Sequence, residues 1–158
     1  QVVLQDLKKN KILFLDDFFI SYRKTKLKRG QFIRSIRIPL FKGNIFKSYK
    51  VSKRFDDDIS SVCAAFNLEI VKNKFQSVRI AYGGMAIIPK RAVHCEKILL
   101  NSLLTDEIIN KAKKALERDF KPISDMRASR SYRMNIAKNL LEKCCAEIKQ
   151  KKLIGIYF

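Results

Sequence analysis

A chain of 158 residues with 47% hydrophobic side chains has enough apolar material for one folded domain and too much for a disordered one. Its 34 Lys and Arg outnumber its 15 Asp and Glu, a net of +19 that invites a nucleic-acid reading. No run approaches the ~20 apolar residues that cross a bilayer, and Lys8, Lys9 and Lys11 follow the short Gln1–Leu4 start, the reverse of signal-peptide order. The basic excess is uneven, with 15 basic and 3 acidic residues in positions 1–54. These cations form neither a basic helix nor a compact arginine-rich motif. Their spacing favours a solvated surface, or one facing acidic partner subunits, over nucleic acid. The first residue is not Met, so the chain reads as a processed product or a piece of a longer polypeptide.

Ile12 to Leu15 is a short strand candidate, and Asp17 to Thr25 reads as an irregular connection. Gly30 marks a turn. Ile33 to Ile38 alternates partly until Pro39 ends it. Ile45 to Ser52 is a second strand. Ile59 to Val71 is a clearer third, with Val62, Ala64, Phe66, Leu68 and Ile70 on one face. The chain turns near Asn73, and Phe75 to Tyr82 forms a fourth strand broken by Gly83-Gly84. Short connections between the last three strands suit an antiparallel meander.

After Met85 the period changes from two to about 3.6. Pro89 fits the first turn of a helix whose stripe is Ala92, Cys95, Ile98 and Leu99. Thr105 is a good N-cap for a second helix, with Ile108, Ile109, Ala112, Ala115 and Leu116 inward. Ser129 or Ser131 caps a third, burying Ile136, Ala137, Leu140, Leu141, Cys144 and Ile148. The tail from Lys149 to Phe158 reads as a frayed end or a docking strand. Strands first and helices after predict an α+β fold: an antiparallel sheet of three to four strands, then three helices packed on one face.

The usual catalytic sets are missing. His94 is the single imidazole and has no visible nucleophile partner. Cys63, Cys95, Cys144 and Cys145 contain no Cys-x-x-Cys pair, which argues against zinc or iron–sulfur ligation and for buried thiols in a reducing cytoplasm. Gly83-Gly84 lacks the other glycines of a phosphate loop. Asp56, Asp57 and Asp58 invite a hard cation, but Lys53 and Arg54 neutralise them first. What stands out is the mixed-charge segment Phe46 to Ile59, with four cations and three consecutive carboxylates between two strand-like runs. A connection of this kind can border a redox cofactor, where a nearby cation stabilises an anionic reduced form and a carboxylate opposes it.

Four segments, in order along nearly the whole chain, carry a resemblance: Asp17 to Thr25, Tyr49 to Ser60, Arg79 to Ala86 running on to Pro89–Ala92, and Pro122 to Ser129 with Tyr132-Arg133. Together they resemble the C-terminal part of the flavin-binding unit of xanthine dehydrogenases and related molybdenum hydroxylases, the carbon monoxide dehydrogenase flavoprotein C-terminal family. The last segment is similar to the bacterial FAD-binding small subunit in particular.

The resemblance implies a tail of a flavin-binding domain or a connecting segment at residues 1–30, and the family's domain at 31–158. It implies an enzyme complex in which a molybdenum cofactor oxidises a purine and electrons pass through two iron–sulfur clusters to FAD, then to NAD. By the same resemblance, Lys50 and Ile33 touch FAD. The loop from Lys53 to Asp58 borders its isoalloxazine and influences nicotinamide access, with Arg54 and Asp57 as the electrostatic residues and Asp58 in reserve. The partners implied are the preceding flavin and iron–sulfur domains and a molybdenum-cofactor subunit. This sequence holds neither the family's iron–sulfur cysteines nor its glycine-rich pyrophosphate segment, so it is expected to supply one wall of the FAD site and no catalysis alone. The alternative is a stand-alone binding module of the same fold, with a basic surface for nucleic acid or an acidic protein.

Overall fold

The computed structural model describes residues 1–40 and 42–150. The expectation for the end of the tail, Lys151 to Phe158, lies outside the described residues. The chain divides into two compact units, Gln1–Lys42 and Gly43–Phe158. Ile33 to Ile38, which the resemblance assigns to the second part, lies in the first unit.

In the first unit β1 (Val2–Gln5) pairs antiparallel with both β2 (Asn10–Leu13) and β5 (Phe32–Ile36). Between them come α1 (Leu15–Phe18) and a small hairpin of β3 (Phe19–Ser21) and β4 (Lys24–Thr25). This order replaces the irregular connection expected at 17–25. Arg23, at φ 55°, makes the hairpin turn. The core of this unit is small: Val2, Leu4 and Phe18, with Leu13 and Phe19 against them.

The second unit is a four-stranded antiparallel sheet in the order β6 (Ile45–Val51), β7 (Val62–Val71), β8 (Lys74–Gly83), β9 (Lys90–Arg91). Three helices follow: α2 (Val93–Leu99), α3 (Asp106–Asp119) and α4 (Arg130–Gln150). The α+β expectation holds. The alternation in β7 is the reason for the layer: Val62, Ala64, Phe66 and Leu68 are buried against the helices, while Cys63, Ala65, Asn67 and Glu69 face the other way. Each fully buried aliphatic or aromatic side chain contributes about 1.5–3 kcal/mol. Tyr49, Phe66, Tyr82 and Phe120 pack edge to face in series, with centroids 5.9, 6.0 and 5.3 Å apart. The Tyr82 hydroxyl donates to the Ala137 carbonyl at 2.9 Å, joining the sheet to α4.

Pro89 does not open a helix. Lys90 and Arg91 pair with Tyr82 and Ala81, and the Ala92 amide donates to the Ile80 carbonyl, so the chain stays in the sheet until α2 starts at Val93. Glu96 makes that junction. It is buried, and it accepts from the Ile80 amide at 2.8 Å and from the Arg91 guanidinium at 3.0 and 2.5 Å. Thr105 caps α3 by accepting from the Ile108 amide, as its position predicts. Ser129, rather than Ser131, caps α4 through the Tyr132 amide.

Candidate functional site

β6 carries Tyr49 inward and Lys50 outward, because a strand alternates its side chains. Lys50 stands opposite Cys63 on the face turned away from the helices. At the end of β6 the Ser61 amide donates to the Val51 carbonyl at 2.7 Å, closing a bend over residues 52–60.

Inside the bend the charges hold one another. The Arg54 amide donates to the Asp58 carboxylate at 3.2 Å, and its guanidinium lies 3.9 Å from the same group. That backbone N–H, followed in effect by the Arg54 charge, holds the Asp58 carboxyl below its usual range. Asp57 contributes its carbonyl to the Arg54 guanidinium at 3.3 Å and turns the chain at φ 51°. Of the neighbouring aspartates, the one named in reserve meets the arginine. Asp57 and Arg54 are adjacent on the bend, and Lys50 leads into it. Ile33 belongs to the first unit, where it is half-exposed on β5 and pairs with Leu4.

The bend is tied to two other loops at the same end of the sheet. Lys53 Nζ donates to the Met126 carbonyl at 2.7 Å, and the Ser61 hydroxyl to the Arg127 carbonyl at 3.2 Å. Arg133, only 3% exposed in the first turn of α4, donates through one terminal nitrogen to the carbonyls of Ser61 at 2.6 Å and Gly84 at 2.9 Å. Its other terminal nitrogen meets Asp125 at 2.6 Å. The Asp125 carboxyl is held below its usual range, first by the Arg127 amide and then by Arg133. Two of the four sequence segments singled out above therefore meet at one guanidinium, and a third, the bend, joins them through Lys53 and through Ser61 at its end. Beside them opens a cleft of about 490 Å³ lined in part by Ser52, Lys53, Ser61, Arg127, Ser129 and Tyr132.

Arg133 and Asp125 carry this arrangement, although residue type gives them no role. A signal exists: Arg133, Ala137, Leu140, Leu141 and Cys144 fall on one helical stripe, which places the arginine on the buried side. Among the described residues no group of His, Cys, Asp and Glu is arranged to hold a metal. His94 bonds to the buried Asp119 at 2.8 Å. Cys95, Cys144 and Cys145 are buried and Cys63 is half-buried. Burial pushes the thiols of Cys144 and Cys145 up to about 12. Among the described residues no helix is long and apolar enough to cross a membrane.

The family model of the CO dehydrogenase flavoprotein C-terminal domain matches residues 47–148. Xanthine dehydrogenase of Emericella nidulans is 37% identical over 123 residues, covering 75% of this chain and 9% of that protein. The glyceraldehyde dehydrogenase medium chain of Sulfolobus acidocaldarius is 28% identical over 133 residues, covering 84% of this chain and 47% of that one. The chain thus spans less than half the length of either. Among solved structures, the carbon monoxide dehydrogenase of Hydrogenophaga pseudoflava superposes with a TM-score of 0.83 at 23% identity, over 89% of this chain and 49% of that one, and so shares the fold. With the family match spanning most of the chain, this protein belongs to the CO dehydrogenase flavoprotein C-terminal domain family.

Proposed function

We propose that this chain is the C-terminal part of the FAD-binding component of a molybdenum hydroxylase, most specifically a xanthine dehydrogenase serving purine catabolism in the cytoplasm. The observation that carries the reading is the convergence on Arg133. Segments that resemble the family's flavin unit, separated in sequence, meet at one end of the sheet around a cross-linked charged bend.

The residues fit one wall of a flavin site. The cleft offers hydroxyls, the Lys53 side chain and the edge of Tyr132, and Lys50 presents an exposed ammonium just before the bend. The phosphate-binding part of such a site would come from other polypeptide. The chemistry that FAD supplies when bound is the relay of electrons from iron–sulfur clusters to NAD. In this reading, Lys50 contacts the flavin. Arg54 and Asp57, with Asp58 holding Arg54 in place, set the charge beside its ring, and the bend borders the path of the nicotinamide. The partners are flavin and iron–sulfur domains and a subunit carrying the molybdenum cofactor.

The test is made in the assembled complex. Lys50→Ala and Arg54→Ala are each expected to raise the FAD dissociation constant about tenfold, the scale of one charge-assisted contact, and to shift the flavin reduction potential. Wild-type affinity and potential in both variants would remove the assignment.

A further inference from the structure

Two kinds of contact act on the bend. The Arg54–Asp58 and Arg54–Asp57 contacts are exposed and lie within the bend, so they give it a shape but no fixed position. Position comes from outside. The Ser61 amide closes the base of the bend on the Val51 carbonyl, and Arg133 binds the Ser61 carbonyl together with the Gly84 carbonyl and Asp125. Lys53 adds a second tie through the Met126 carbonyl.

We infer that Arg133 is the positioning residue of the charged bend: one buried guanidinium, bonded to Ser61, Gly84 and Asp125, fixes where Arg54 and Asp58 stand. The inference rests on the flavin-wall reading above. Arginine suits the task because its planar fork carries donors in fixed directions and its charge does not titrate in proteins. A lysine ammonium carries the same charge as a compact point on a flexible stem and cannot reproduce that fork across three loops. Two terminal nitrogens already reach three acceptors, and Nε is buried with no partner among the described residues. The guanidinium is thus oriented by its outer edge, where the loops meet. Gly84 makes the approach possible, since any Cβ there would sit 2.3 Å from the Ser61 oxygen.

If Arg133 acts through the bend, its effect on the flavin depends on the charges that the bend carries. The experiment is a double-mutant cycle in the assembled flavoprotein complex, combining Arg133→Lys with Arg54→Ala, and Lys53→Ala with Arg54→Ala. Thermal melting is followed beside FAD affinity and flavin reduction potential. Lys53 is exposed, so its variant keeps the test alive if Arg133→Lys does not fold. The expected result is a shifted potential in Arg133→Lys, a rise of several-fold in the FAD dissociation constant, and much weaker effects of either tie once Arg54 is removed. Additive effects, or a lowered melting temperature with unchanged potential while Arg54→Ala still shifts it, would overturn the positioning role and leave the flavin wall standing. No response to Arg54→Ala or Lys50→Ala would overturn the flavin wall itself, and the positioning role with it.

Discussion

Gly84 and the Ser61 carbonyl leave no room between them: a Cβ on Gly84 would stand 2.3 Å from that oxygen. Gly84 also has φ 78°, a region that L side chains disfavour. Gly84→Ala therefore combines backbone strain with a clash against main chain that Arg133 holds in place. The expected loss is roughly 2–5 kcal/mol, read from denaturant midpoints. Gly30, with φ 79° and open space around it, is the control, where only the backbone term of about 1–2 kcal/mol applies.

Cys63 faces Lys50 across the β6–β7 pair and is half-buried, whereas Cys95, Cys144 and Cys145 are fully buried. Burial raises the Cys95 thiol as well. Native protein is expected to be alkylated at Cys63 alone, with the other thiols reacting only on unfolding. In the assembled complex Cys63 should become protected, because the proposed flavin wall includes its strand neighbour. Mass spectrometry of alkylated peptides reads both outcomes, and labelling of Cys63 at the same rate in both states contradicts the placement of that wall.

Asp125 has its carboxyl lowered by the Arg127 amide and the Arg133 guanidinium. A depressed carboxyl stabilises the fold above its unfolded value of 3.8, and that stability disappears as pH falls through the lowered native value. The melting temperature of Asp125→Asn should accordingly lie below that of the wild type near neutrality. The gap should narrow in acid as the wild type loses the same charge. Parallel melting curves at all pH values would mean that the Asp125 charge contributes nothing.

Tyr49 donates its hydroxyl to the buried Glu147 at 2.8 Å, and Lys47 lies 3.2 Å from the same carboxylate. Burial, then the bond to Glu147, pushes the Tyr49 hydroxyl far up, so it stays a donor across the working range. Tyr49→Phe keeps the ring against Phe66 and removes the donor. A loss of about 1.5–3 kcal/mol is expected for a hydrogen bond to a charged group, measured by urea unfolding.

The sheet was legible where one face alone is buried. In β7 the period of two runs unbroken from Val62 to Leu68, and the structure buries the expected side chains. Thr105 was legible as a cap because its hydroxyl and the acidic residues after it suit a helix start. The short hairpin at Phe19–Thr25 was not, since it depends on one non-glycine residue at positive φ, which composition does not reveal. Pro89 misled for a similar reason. Its fixed φ suits a first helical turn, but the pairing of Lys90 and Arg91 with Tyr82 and Ala81 of β8 decides the matter, and the preference of Pro89 alone does not reveal it. At the site, the charged bend was visible as charge. Its external support was not, because an arginine on a helix reads as solvated until its neighbours on the stripe are counted.

Asp119 reaches beyond its own helix. It closes α3, yet its carboxylate accepts the amides of His94 at 2.9 Å and Cys95 at 3.0 Å, in the first turn of α2. Ala92 offers that turn no side-chain cap. Seven residues are too few for a helix to persist in water unaided. The earlier helix therefore leans on the later one: its starting cap is a side chain from the last residue of α3, so whatever displaces that residue also uncaps α2.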